Sequence, residues 1–181
     1  MKYNDFIDAL DLGDAILFRG SDWISRAIMA FERNCHVGVY AGQEILLHQT
    51  YPTARQDNLK DYIKKQTVTV RRFKDLTDTE QGFIVAEAWK DVDNKRPYNV
   101  KGLVAGYSLF AVLRKIGIKA QHIVNPYSDK ASRVCSSAYI DWATRAGVDA
   151  FRGIGYEQGT PDHILHSPEM STVIKEERVY V

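Results

Sequence analysis

The 181-residue sequence predicts one α+β domain in which a small antiparallel sheet packs against a helix that begins at Cys135. Three observations carry that reading. His36-Val37-Gly38-Val39-Tyr40 alternates between loop signals, and Ala41-Gly42-Gln43 turns the chain into a second run, Glu44 to Thr50, so the two form a hairpin. Thr77 with Glu80 makes a capping-box pattern that opens a helix through Phe83, Ile84, Ala88 and Trp89. Ser132 stands as a cap before Val134, Ala138 and Trp142, which share one helical stripe. With 45% hydrophobic and 26% charged residues, the chain has enough apolar surface for a single core spanning 1–181.

Taken in order, Asp5 to Leu10 reads as a short helix. Leu12-Gly13-Asp14 then turns into a strand, Ala15 to Arg19, which Gly20 ends. Ser21 caps a helix carrying Trp23, Ile24, Ala27, Ile28 and Phe31, running to about Glu32. Beyond the hairpin and Pro52, a short helix near Asp57 to Lys64 precedes a β-branched strand, Thr67 to Phe73. After the capping-box helix, Arg96-Pro97-Tyr98-Asn99 reads as a loop, Val100 to Ile116 as helix and Gln121 to Lys130 as a surface connection. The Cys135 helix should end at Gly147, and the glycine- and proline-bearing stretch from Phe151 to Pro168 should be mostly loop. Ser171 to Lys175 and Arg178 to Val181 are candidate closing strands.

Charge excludes several classes of partner. There are 24 basic and 23 acidic residues, a net charge of +1, with no long run of either sign, so neither nucleic acid nor an anionic membrane is expected as an obligatory partner. Asp5 and Asp8 interrupt the stretch where an export signal would be apolar, which predicts an unexported, cytoplasmic chain. The two cysteines, Cys35 and Cys135, make no disulfide framework and suit a reducing compartment, with one bridge between them left open. Val100 to Ile118 is the longest apolar-rich stretch. Lys101, Arg114 and Lys115 interrupt it, so no transmembrane segment is expected.

The chemistry gathers at three positions. Cys135 sits near a helix N-terminus, where unpaired N–H groups and the helix dipole favour thiolate over thiol. His36 lies on a half-buried strand that would hold its imidazole rigidly, so Cys135 and His36 read as nucleophile and base. Pairing the hairpin symmetrically about Gly42 sets His36 opposite His48, with Cβ atoms about 5 Å apart on one face. His48 would then decide which nitrogen of His36 faces the sulfur. Attack on an amide or ester carbonyl would create an oxyanion for the Cys135 N–H and a second donor, with Tyr98 as a candidate. Zinc held by His36, His48 and Cys135 would lack a fourth ligand, and no cofactor is expected. Cys35 should point to the other strand face as core filler; Asp14 reads as a turn residue, Trp23 and Trp142 as packing, and His122, His163 and His166 as surface or loop residues.

These residues resemble the circularly permuted branch of the NlpC-type papain-like superfamily, in particular the YiiX/YaeF-like permuted amidases. The histidine motif precedes Cys135-Ser136-Ser137, the order of the permuted branch. Gly13-Asp14-Ala15-Ile16-Leu17-Phe18-Arg19-Gly20 is similar to the family's opening strand and Arg96-Pro97-Tyr98-Asn99 to its tyrosine-bearing loop, so the likeness spans roughly Leu12 to Gly147. The resemblance implies a permuted papain-like fold, with Cys135 as nucleophile, His36 as general base and His48 as the third polar residue. It also implies a small peptide or amino-acid amide, a cell-wall peptide or a lipid-like ester as substrate. Two positions depart from the pattern. His48 stands where many bacterial relatives carry glutamate, which resembles the lecithin:retinol acyltransferase-like branch, and Ser137 stands where the motif commonly continues with glutamate. A lipid acyltransferase or thioesterase is therefore the alternative enzyme, and a zinc- or ligand-binding module the non-enzymatic one. Without a membrane-spanning stretch of about 20 apolar residues, amide hydrolysis is preferred.

Overall fold

A computed structural model describes residues 1–19, 36–64, 66–106, 112, 131–148, 151 and 159–181. Six strands form one antiparallel sheet in the order β4-β3-β2-β1-β5-β6. In chain order they are β1 (Ala15–Arg19), β2 (His36–Tyr40), β3 (Ile45–Gln49), β4 (Ala54–Asn58), β5 (Thr67–Phe73) and β6 (Met170–Arg178). The helices are α1 (Tyr3–Asp8), α2 (Leu59–Tyr62), α3 (Asp78–Asp93), α4 (Cys135–Arg145) and α5 (Pro161–Leu165), with a π-helical segment at Gly102–Gly106. The expected α+β arrangement of an antiparallel sheet against the Cys135 helix is the one observed.

Strand alternation sorts the apolar residues into two layers. Ala15, Leu17, Val37, Val39 and Leu47 join Ile84, Ala88, Cys135, Ala138 and Trp142 in the core that α3 and α4 cover. Ile16, Phe18, Leu46, Val68 and Val70 face the other way and pack with Phe6 of α1 and with Leu59 and Ile63 at α2. α3 starts as expected: Thr77 and Glu80 satisfy each other's backbone N–H groups in a full capping box. Its far end is tied to α4 by charge. The buried Asp91 accepts from Trp142 Nε1 at 2.8 Å and from Arg96 at 2.8 and 3.1 Å, and lies 3.1 Å from Arg145. This fixes the loop after α3 against α4.

Several expectations are corrected. The stretch near Asp57 is not helical from its start: Ala54–Asn58 is edge strand β4, and only then does Asn58 cap α2 by accepting from the Asp61 N–H. Pairing with β3 supplies the hydrogen bonds, so a run with no apolar alternation still becomes strand. The hairpin turns about Gln43 rather than Gly42. Val39 pairs with Leu47 and Tyr40 with Leu46, while Gln43 and Glu44 take left-handed φ values of 49° and 60°. The cap of α4 is not Ser132: Val134 precedes the helix, and Ser137 Oγ reaches back to accept from the Val134 N–H at 3.2 Å. Within the expected loop after Phe151, Thr160 and Pro161 open α5; Ser171 to Lys175 falls within β6, which ends at Arg178, and of the expected Arg178 to Val181 strand only an isolated bridge from Tyr180 to Lys2 forms beyond it. Asp14 is more than a turn residue, because Arg72 grips both its carboxylate oxygens at 2.8 and 2.7 Å and joins β1 to β5. The expected Ser21 helix, Cys35, His122, the Gln121 to Lys130 connection and most of the Val100 to Ile116 helix lie outside the described residues.

Candidate active site

His36 and His48 meet on the sheet face that α1 and α2 cover. The observed register places Gly38, not His36, opposite His48, so the two histidines are diagonal neighbours. A shift of two residues leaves both side chains on the expected face. Gly38 makes the contact possible: a Cβ there would stand 2.6 Å from Leu46 Cδ1 and 3.1 Å from His48 Cβ. With that volume empty, His48 leans across β2 and its Nδ1 comes 2.8 Å from His36 Nε2.

The relay continues outward. His48 Nε2 lies 3.0 Å from Asp57 Oδ2, and the same oxygen accepts from Arg55 Nε at 3.0 Å. Three strands thus supply one hydrogen-bonded line, β2 with His36, β3 with His48 and β4 with Asp57. Aromatic rings wall it in: Tyr62 stands edge-on to His48 with centroids 4.8 Å apart, and Phe18 and Tyr62 flank His36 at 6.0 and 5.9 Å. This enclosure, followed by the neighbouring His48, holds the His36 pKa well below the ordinary histidine value. Burial also lowers His48, against the opposing pull of Asp57. The hydrogen bond from His48 in turn holds Asp57 below the usual carboxylate value. At neutral pH the line is therefore carboxylate, neutral imidazole, neutral imidazole.

His36 Nδ1 has no hydrogen-bond partner among the described residues, and the residue keeps part of its surface accessible. Cys135 is not in hydrogen-bond contact with it. The cysteine is the first residue of α4, 3% exposed, and belongs to the apolar layer of Val37, Val39 and Leu47, which alternate with the two histidines. Backbone bridges nevertheless bring the start of α4 to the His36 end of the sheet. Gln49 at the end of β3 pairs with Ala54, Thr53 bridges Pro97, and Tyr98 bridges Arg133, two residues before Cys135. The structure therefore brings His36 and His48 together and sets the Tyr98 backbone beside the start of α4. It leaves Cys135 in the core layer on the opposite face of the sheet from the two histidines.

Asp57 is the site residue that sequence reasoning missed. Nothing local marks it, since Arg55-Gln56-Asp57-Asn58 lacks an apolar pattern and the acid gains its partner only through strand pairing. His163, expected to be a bystander, is used within α5: its Nδ1 accepts from the Thr160 N–H at 3.2 Å.

The fold and site define an α+β chain whose antiparallel sheet carries a histidine–histidine–carboxylate relay beside a cysteine-headed helix. Comparison with solved structures shows the same fold in a protein described as the metalloprotein YiiX from Escherichia coli O157:H7, with a TM-score of 0.62 over 92% of this chain and 97% of that one at 14% identity. No family model matches the chain, and no curated protein is similar to it in sequence. A metal does not fit the relay as it stands. Three of its four imidazole nitrogens are engaged with each other or with Asp57, and no cluster of three or more histidine, cysteine or acidic residues is arranged to hold an ion among the described residues. No helix among those residues is long and apolar enough to cross a membrane.

Proposed function

We propose that this chain is a cysteine-dependent hydrolase that cleaves an amide bond, in a small peptide or amino-acid amide, through an acyl-enzyme on Cys135 with His36 as base. The relay is the observation that carries the reading: one nitrogen of His36 is held by His48 while no described residue bonds Nδ1, at the end of the sheet where α4 begins. His36 Nδ1 would take the thiol proton as sulfur bonds to the carbonyl carbon, then return it to the departing amine as the carbon–nitrogen bond breaks. Water activated by the same nitrogen would release the acid and restore the thiol. The Cys135 N–H, at the start of α4, and Tyr98 are the candidate donors to the oxyanion. The reading requires the thiol to reach Nδ1 in the substrate complex, and catalytic contacts of this kind often tighten only there.

Incubation with libraries of small amides and esters, read by intact mass, tests the proposal. An acyl adduct on Cys135 with release of amine, both abolished in Cys135→Ala, is expected. Adducts from esters alone, with transfer to amines and no amide hydrolysis, would replace it with the acyltransferase reading.

A further inference from the structure

Resting on that reading, we propose that Asp57 is a positioning residue whose carboxylate selects the tautomers of both histidines and thereby leaves the lone pair of His36 on Nδ1. The argument is one of donors and acceptors. An ionised carboxylate only accepts, so at 3.0 Å the proton between Asp57 Oδ2 and His48 belongs to His48 Nε2. A neutral His48 with its proton there has only a lone pair on Nδ1. The 2.8 Å contact to His36 Nε2 is then a hydrogen bond donated by His36. Neutral His36, protonated on Nε2, must carry its lone pair on Nδ1, the nitrogen that no described residue occupies. The state of the base is thus set about two ring widths away, by a residue on an edge strand.

Arg55 adds to the hydrogen bond from His48 in keeping the selector ionised. Its Nε and NH2 both lie on Asp57 Oδ2, at 3.0 and 2.8 Å, so the oxygen that receives His48 is also the one the guanidinium neutralises. The other end of the line is enforced by shape. The rings of Tyr62 and His36 stand edge-on to His48, with centroids 4.8 and 5.0 Å away, and turning His48 over would cost it both hydrogen bonds. Once His36 accepts the thiol proton, the same line places a negative charge behind the new imidazolium.

The test uses full-length protein labelled with 15N-histidine, whose long-range proton–nitrogen correlations report the protonated nitrogen of each ring. In the wild type both His36 and His48 should be protonated on Nε2. In Asp57→Ala, His48 should shift towards the Nδ1–H form and amide turnover should fall about 10- to 100-fold, the scale on which one charge-assisted hydrogen bond biases two tautomers. Asp57→Asn keeps an acceptor oxygen and nearly the same volume, so it should retain the wild-type tautomers in part, and it guards against loss of the fold. Unchanged tautomers and unchanged turnover in Asp57→Ala would overturn the positioning role while leaving the hydrolase reading intact. The predicted tautomer shift in a chain with no turnover would support the selector and overturn the hydrolase.

Discussion

Replacing Gly38 by alanine should disturb both the sheet and the histidine pair. The new Cβ would lie 2.6 Å from Leu46 Cδ1 and 3.1 Å from both Leu46 Cγ and His48 Cβ, and real Cβ atoms do not sit that close to a neighbour. Leu46 is fully buried and cannot swing into solvent. His48 can move away only by giving up its 2.8 Å contact with His36. Overpacking of this kind costs about 1–3 kcal/mol, against which alanine recovers about 0.5–1 kcal/mol of the conformational entropy that a strand glycine loses on folding. The net expectation is a loss of about 1–2 kcal/mol. With a urea slope of about 2 kcal/mol/M, the midpoint followed by tryptophan fluorescence should drop by about 0.5–1 M. The His36 and His48 ring signals should move together in the same variant. A midpoint equal to or above wild type, with both rings unmoved, would refute the claim that the relay depends on the space left at Gly38.

Acid should destabilise the fold through the same pair. His36 and His48 have lowered pKa values in the folded state, so between those values and about 6.5 the unfolded chain binds more protons. The stability they contribute is complete above about pH 6.5 and is lost as pH falls, with a slope approaching about 1.4 kcal/mol per pH unit for each histidine kept neutral. Urea midpoints at a series of pH values measure it; His36→Asn should flatten the curve, and a wild-type curve already flat from pH 7 to 5 would contradict the buried neutral pair. Asp91→Ala should cost about 2–4 kcal/mol, because it strands Trp142 Nε1 and removes the carboxylate facing Arg96 and Arg145. Partial exposure of both arginines keeps the loss below that of a fully buried ion pair, and a melting temperature within a degree of wild type would show the network to be dispensable.

Elements whose apolar residues keep a period are legible in the amino-acid sequence. β2 and the first half of β5 alternate, β1 and the start of β3 are short apolar runs between turn signals, and α3 carries its own capping box, so local pattern and final fold agree. β4 is not legible, because an edge strand with one solvated side needs no alternation and its stability comes from β3. The relay is half legible for the same reason. His36 and His48 sit twelve residues apart across one turn, which is a local relation, and a register offset by two residues leaves them on the same face. Asp57 lies in the next strand, reached through a connection whose path no short pattern records. The start of α4 can be read from its apolar stripe. Its cap cannot, because Ser137 works backwards from inside the helix rather than standing ahead of it.

The claim that Cys135 acts with His36 is tested most directly by the rate of covalent labelling. Wild type and His36→Ala would each be treated with iodoacetamide at neutral pH and the modified cysteine located by peptide mass. Cys135 should be labelled before Cys35 in the wild type, and His36→Ala should slow its labelling by about tenfold or more, since the imidazole no longer takes the thiol proton. Equal labelling of both cysteines at a rate that His36→Ala leaves unchanged would contradict it, and would leave the histidine relay without a nucleophile.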